Sequence, residues 1–134
     1  MRAKPLILVV DDEHDLLEIM STKLVASGYD VVVAYNAKEA VDAAEKVMPD
    51  LILMDIKMPN GSGTDAALEI KQNPTTKDIK IAFLSSMKDP WPDTSSDRDK
   101  LTKELGMEDY IDKTGDLNAE VAKVREILAR PAKK

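Results

Sequence analysis

Residues Leu51–Gly63, LILMDIKMPNGSG, place a single acidic residue at the end of an apolar run. Four apolar residues lead directly into Asp55, and the turn-forming sequence Met58-Pro59-Asn60-Gly61 follows. A short apolar run bounded by turn signals is typical of a strand that is buried on both faces, as in parallel sheets. We therefore expect Asp55 at the carboxyl end of this strand, which is the edge of an open α/β sheet where ligands bind.

Similar apolar runs alternate with helical patterns along the chain. The predicted strands are residues 6–10, 31–34, 51–54, 79–84 and 110–111. The predicted helices are residues 15–27, 36–48, 64–72, 97–105 and 117–128. This alternation predicts an α/β fold whose parallel sheet has helices on both faces. Right-handed crossovers and the burial of the strands favour a doubly wound, flavodoxin-like sheet of order 2-1-3-4-5, flanked by five helices.

Apolar residues at helical spacing predict which side of each helix faces the sheet. Leu17, Met20 and Leu24 have this spacing in the first helix. The residues predicted to face the sheet from the other helices are Ala40, Val41, Ala44, Val47, Met48, Ala67, Leu68, Ile70, Leu117, Val121, Val124 and Leu128. His14, the only histidine, is predicted to be exposed in the first turn of the first helix, and the acidic residues before it are predicted to cap that helix.

Composition and charge restrict the class of protein. The 134 residues, of which 43% are hydrophobic and 33% charged, predict one globular domain over residues 1–134, with a core at about 5–129 and a tail at 130–134. The formal net charge of −6 argues against a surface that binds nucleic acid. The apolar run Leu6–Val10 is too short for a signal peptide or a membrane span. With no cysteine, these features favour a soluble, cytoplasmic protein.

The predicted sheet brings several polar residues to one edge. The ends of strands 1, 3, 4 and 5 carry Asp11, Asp12, Asp55, Ser85 and Lys113. Three close carboxylates repel one another unless a cation or a proton neutralises them. Ligation by oxygen alone suits Mg²⁺, which keeps several waters and accepts phosphoryl oxygens. We therefore expect a Mg²⁺ site here.

The same residues are suited to phosphoryl transfer onto a carboxylate. Asp55 would act as the nucleophile and form an aspartyl phosphate, with Mg²⁺ held by Asp12 and Asp55. The backbone carbonyl of Lys57 could provide a further oxygen ligand. Lys113 would pair with a phosphoryl oxygen, and Ser85 could donate a hydrogen bond to the same group.

Four segments in the expected order carry a resemblance to a known family: LILVVDDE, LILMDIKMPNGSG, IAFLSS and DYIDK. Together they make the chain similar to the receiver domain of a two-component response regulator of the chemotaxis-receiver type. The resemblance implies Asp55 as the phosphoacceptor, Asp11 and Asp12 as the acidic Mg²⁺ pocket (Asp11 through water), and Lys113 as the family's conserved lysine. It also implies Ser85 as a switch hydroxyl.

The resemblance further implies Tyr110 as a switch aromatic whose rotamer follows Ser85. The implied phosphodonor is a sensor histidine kinase or a histidine phosphotransfer protein, and the implied output is a contact with a downstream protein. That contact would use the last two helices and the last strand. Such a domain is not an enzyme in the usual sense, because it promotes only its own phosphorylation and dephosphorylation.

The chain departs from the family pattern at some positions, and two other functions stay open. Thr114 follows Lys113 where the family usually has proline, Lys57 lies two residues after the phosphoacceptor, and Pro90-Trp91-Pro92 lies in an unusually long segment. The Lys113-Thr114 change and the long segment would permit a receiver-like adaptor that binds partners without phosphorylation, whereas the complete acidic set argues against it. A Mg²⁺-dependent phosphohydrolase of the haloacid dehalogenase type is less compatible, since that family needs two aspartates separated by one residue after the first strand.

Overall fold

The computed structural model describes residues 4–55, 63–85, 109–112 and 116–130, with the side chains at 63, 64, 85, 109, 110 and 112 left aside. The strands are β1 (Leu6–Val10), β2 (Asp30–Ala34), β3 (Leu51–Asp55), β4 (Lys80–Ser85) and β5 (Asp109–Asp112). The helices in these ranges are α1 (His14–Ala26), α2 (Ala37–Val47), α3 (Gly63–Gln72) and α4 (Leu117–Ala129). The predicted helix at 97–105 lies outside the described residues. None of the helices in the described ranges has the length and apolarity to cross a membrane.

The five strands form one parallel sheet in the order β2-β1-β3-β4-β5. This is the predicted doubly wound order, and the strand boundaries differ from the predicted ones by at most one residue. β3 lies at the centre, where Val10 of β1 pairs with Met54 and Leu84 of β4 pairs with Asp55. The register therefore brings the carboxyl ends of β1, β3 and β4 to the same edge.

Alternate residues of the strands build two apolar layers, one on each face of the sheet. Leu8, Ile52 and Phe83 belong to the layer that packs against α2 and α3. Ile7 and Leu53 belong to the layer that packs against α1 and α4. Because each strand contributes to both layers, its side chains are apolar at consecutive positions, which is why the strands are recognisable as continuous apolar runs.

The helix faces were predicted correctly in part. Leu17, Met20 and Leu24 of α1 are all buried, as their spacing indicated. Two predicted core residues are instead exposed: Met48 and Leu68 each expose 40% of their surface. Met48 lies after the last residue of α2 in the left-handed conformation (φ 48°), so it no longer shares the apolar face of the helix. Leu68 lies on the solvent side of α3, while Ala66, Ala67 and Ile70 face the sheet.

The helix ends are held by different devices. At the start of α2, Asn36 Oδ1 accepts the backbone N–H of Glu39, three residues further along the chain, which is the spacing of a capping box. Asp116 accepts the N–H of Asn118 at the start of α4. The prediction for α1 was only partly right: Glu13 occupies the cap position but its side chain makes no capping bond. The Glu13 N–H instead donates to Asp11 Oδ1, so the Asp11 carboxylate orders the turn before the helix.

Lys80 links the start of β4 to the end of α4. Its ammonium nitrogen donates to the carbonyl oxygens of Ile127 (3.0 Å) and Leu128 (3.3 Å), and also to that of Arg130. The last carbonyls of a helix have no partner within the helix, and they carry partial negative charge. Lys80 therefore stabilises the carboxyl end of α4 and fixes it against the sheet.

We expect Lys80→Met to lower the free energy of unfolding by about 1–3 kcal/mol, because the half-buried carbonyls lose charged hydrogen-bond donors. Urea unfolding followed by circular dichroism would measure the change. Lys77→Met is the matched control, since Lys77 is an exposed lysine just before β4. Equal stability of the two variants would contradict the role given to Lys80.

Candidate functional site

Three carboxylates meet at the carboxyl edge of the sheet. Asp11, Asp12 and Asp55 each provide one oxygen atom, and these three atoms lie within 4.8 Å of one another. Asp11 and Asp55 are fully buried, and Asp12 is half-buried. The predicted convergence of these residues is confirmed by the structure.

Asp55 is fixed because it is the last residue of the central strand. Its backbone pairs with Leu84 of β4, and the preceding Met54 pairs with Val10 of β1. Strands on both sides therefore restrain the backbone that carries this carboxylate. A buried acidic residue at the end of a central strand adds nothing to the apolar core, and it is costly to bury in its charged form. Such a position indicates a role in binding or chemistry.

The turn between β1 and α1 positions the other two carboxylates. The backbone N–H of Asp11 donates to the carbonyl oxygen of Ala34 at the end of β2 (3.2 Å). Asp11 Oδ1 then accepts the N–H of Glu13 at 2.9 Å, which closes a tight turn around Asp12. This turn directs Asp11 and Asp12 toward the end of β3.

The described residues fit a small divalent cation. Two oxygens that bind the same Mg²⁺ ion are at most about 4.2 Å apart. This distance is only slightly less than the 4.8 Å within which the three carboxylate oxygens lie. All three donors are carboxylate oxygens, the ligand type that Mg²⁺ prefers. A cation here would offset the repulsion among three negative charges, two of which are fully buried.

The other predicted site residues are described in part or not at all. The backbone of Ser85 ends β4 and pairs with Asp112, the last residue of β5. The backbone of Tyr110 lies within β5 and pairs with Phe83. The side chains of Ser85 and Tyr110, and the whole of Lys57 and Lys113, lie outside the described residues, as does Pro90-Trp91-Pro92.

Sequence reasoning missed one residue beside the carboxylates. Tyr35 directly follows β2, and its ring stacks on the ring of His14 with the centroids 4.3 Å apart and the planes inclined by 17°. His14 is exposed in the first turn of α1, as predicted. The signal was available, because β2 neighbours β1 in the predicted order, so a residue after β2 must lie near the turn after β1.

Comparison with known proteins gives a consistent result. The family model of the response regulator receiver domain matches residues 7–125, which is most of the chain. Two regulators named "Probable transcriptional regulator ycf27", from Guillardia theta and Porphyridium aerugineum, are each 32% identical to the chain over 134 and 128 residues, respectively. Those alignments cover 99% and 95% of this chain and 49% of each regulator, so the chain spans about half the length of these relatives.

Solved structures show the same fold. A CheY-like receiver domain protein of Methanospirillum hungatei has a TM-score of 0.80 at 25% identity, with 94% of each chain covered. The receiver domain of a Pseudomonas aeruginosa sensor histidine kinase has a TM-score of 0.79 at 25% identity, covering 96% of this chain and 100% of that one. That structure is described as having a magnesium ion coordinated in its active site cleft.

Proposed function

Because the chain belongs to the response regulator receiver domain family, we propose that it accepts a phosphoryl group on Asp55 in a Mg²⁺-dependent transfer. The donor would be a sensor histidine kinase or a histidine phosphotransfer protein. The observation that carries the proposal is the group of three carboxylate oxygens within 4.8 Å, which includes the fully buried Asp55 at the end of the central strand. Phosphorylation would then alter a surface that contacts a downstream protein.

In the proposed step, a carboxylate oxygen of Asp55 attacks the phosphorus atom of a phosphohistidine. The new P–O bond forms as the P–N bond breaks, and the electron pair of that bond returns to the donor imidazole, which takes up a proton from water. The product is an aspartyl phosphate on this chain and a neutral histidine on the donor. Restraint of Asp55 by β1 and β4 favours the attack, since the nucleophile is already positioned.

Mg²⁺, when bound, would offset charge on the carboxylates and on the transferring phosphoryl group. Asp12 and Asp55 would hold the ion directly. Asp11 would act through water, a role compatible with the use of its Oδ1 atom by the Glu13 N–H. The backbone carbonyl of Lys57 would be a further oxygen ligand. The magnesium ion in the Pseudomonas aeruginosa receiver domain supports the choice of metal.

Three further roles follow from membership of the family. Lys113 would pair with a phosphoryl oxygen and so stabilise both the transfer and its product. Ser85 would donate a hydrogen bond to the attached phosphoryl group, and Tyr110 would change rotamer with it. These movements would connect phosphorylation to the downstream contact surface, while the chain's own chemistry would be limited to its phosphorylation and dephosphorylation.

A small phosphodonor tests this function without knowledge of the kinase. We expect acetyl phosphate with Mg²⁺ to add one phosphoryl group to the protein, measured as intact mass after rapid quenching. The adduct should be removed by hydroxylamine, as acyl phosphates are, and it should not form when EDTA removes the metal. Formation that is insensitive to EDTA would contradict the role of Mg²⁺. Absence of any adduct at saturating Mg²⁺ would favour the receiver-like adaptor instead.

A further inference from the structure

Two exposed aromatic rings form a contact at the end of the turn that carries Asp11 and Asp12. His14 begins α1 and Tyr35 follows β2, and the two rings are stacked at a centroid distance of 4.3 Å. Tyr35 exposes 40% of its surface, so this pair is not part of the apolar core. The stack instead joins two turns at the carboxyl edge of the sheet: the turn after β1 and the turn after β2.

The segment that carries Asp12 is tied to the end of β2 on both sides of this residue. The first attachment is the hydrogen bond from the Asp11 N–H to the Ala34 carbonyl oxygen (3.2 Å). The second is the ring contact between His14 and Tyr35, three residues further along the chain. Asp12 therefore lies between two points at which its turn is tied to the end of β2.

The backbone that carries the Tyr35 ring is itself held by hydrogen bonds. The backbone N–H of Tyr35 donates to Glu39 Oε1 (3.1 Å), and the Asn36 side-chain amide donates to Glu39 Oε2 (3.1 Å). The Glu39 N–H in turn donates to Asn36 Oδ1 (2.9 Å). These reciprocal bonds fix the start of α2, so Tyr35 is presented to His14 from an ordered backbone.

We propose that His14 and Tyr35 are positioning residues for Asp12. By tying the end of its turn to β2, the stack holds the half-buried Asp12 carboxylate near Asp11 and Asp55, ready for a divalent cation. Without the stack, the turn loses its attachment to β2 on the helix side of Asp12, and bringing Asp12 to the cation costs more conformational entropy. The inference rests on the proposed function, since that function makes Asp12 a Mg²⁺ ligand.

The effect should be moderate and should depend on the ring. The stacking of one aromatic pair can change an affinity by at most about tenfold, so removing it should weaken Mg²⁺ binding by about twofold to tenfold. We expect this loss in Tyr35→Ala and in His14→Ala, measured by titration calorimetry with MgCl₂. Tyr35→Phe keeps a ring and should retain wild-type affinity. Leu68→Ala is the matched control, because Leu68 has the same 40% exposure on a different helix.

A second measurement is independent of the metal. It uses protein from which EDTA has removed the metal, and it follows the Glu13 N–H, which is bonded to Asp11 Oδ1 within the same turn. Its hydrogen exchange, followed by NMR, should be faster in Tyr35→Ala and in His14→Ala and unchanged in Tyr35→Phe. The double variant should be no worse than either single variant, since each change removes the same contact.

The outcomes separate this inference from the proposed function. Wild-type exchange at Glu13 in both alanine variants, or wild-type Mg²⁺ affinity in both, would overturn the positioning role while leaving phosphorylation of Asp55 intact. If the wild-type protein bound no Mg²⁺, the proposed function would fail. Hydrogen exchange of the Glu13 N–H would still show whether the stack orders the turn. Faster exchange in the alanine variants would support the positioning role, and unchanged exchange would overturn it.

Discussion

Asp55→Asn is expected to abolish phosphorylation by acetyl phosphate and by any cognate kinase. The amide has nearly the same shape as the carboxylate, but its oxygen is a much weaker nucleophile and it carries no charge to bind Mg²⁺. Asp55 is fully buried as the last residue of the central strand β3, whereas Asp11 and Asp12 lie in the turn after β1. Intact mass should show no adduct under conditions in which the wild-type protein is fully modified.

Stability measurements distinguish loss of chemistry from loss of fold. Asp55→Asn removes one of three carboxylates within 4.8 Å, which relieves repulsion in the metal-free protein. We expect the metal-free variant to gain at least about 1 kcal/mol in the free energy of unfolding, because two unit charges up to 4.8 Å apart repel by roughly 3–4 kcal/mol or more at an effective dielectric constant near 20. Asp30→Asn is the control, because Asp30 is exposed at the amino end of β2. Normal phosphorylation of Asp55→Asn would contradict the assignment.

Asp12→Asn is expected to weaken Mg²⁺ binding and to slow phosphorylation at a fixed low concentration of the metal. Loss of one negative charge near a divalent cation should reduce affinity by about tenfold to a hundredfold, a range that allows for screening of this half-buried group by water. Higher Mg²⁺ concentrations should restore much of the phosphorylation rate, because Asp55 is still present. Titration calorimetry would measure the affinity, and time-resolved intact mass would measure the rate.

Asp15→Asn is the matched control for this variant. Asp15 lies three residues away, is exposed in the first turn of α1, and undergoes the same change of charge. It should leave Mg²⁺ affinity within about twofold of the wild type, because exposed charges interact weakly through water. Equal losses in Asp12→Asn and Asp15→Asn would mean that only the general negative field attracts the cation. The specific role of Asp12 would then be wrong.

The sequence was sufficient to predict the strand order and most of the buried residues. Strands buried on both faces leave continuous apolar runs, and all four helices in the described part of the chain begin and end within one residue of the predicted positions. The buried faces of the helices were less predictable. A helix that ends one residue earlier, or that is rotated slightly about its axis, exposes a residue at the border between its buried and exposed faces. Met48 and Leu68 became exposed in this way, whereas Ile127 of α4 is fully buried although it was not predicted to be.

Some of the polar residues were predictable from the sequence and others were not. Asp11, Asp12 and Asp55 were predictable as a group, because parallel strands end at one edge and each aspartate directly follows or ends an apolar run. Tyr35 was missed because a lone exposed aromatic after an edge strand has no distinctive local pattern, and only the predicted strand order places it near the turn after β1. Glu120 was missed for another reason: its position in α4 is polar in sequence, yet it is buried there beside Val121.

The central claim is that one particular carboxylate carries the phosphoryl group. The most direct measurement treats the phosphorylated protein with borohydride, which reduces an aspartyl phosphate to the corresponding alcohol, and locates the reduced residue by tandem mass spectrometry. We expect the modification at Asp55 alone, and only when both Mg²⁺ and the phosphodonor are present. Modification at Asp11 or Asp12, or on a residue outside the three carboxylates, would contradict the proposed role of Asp55.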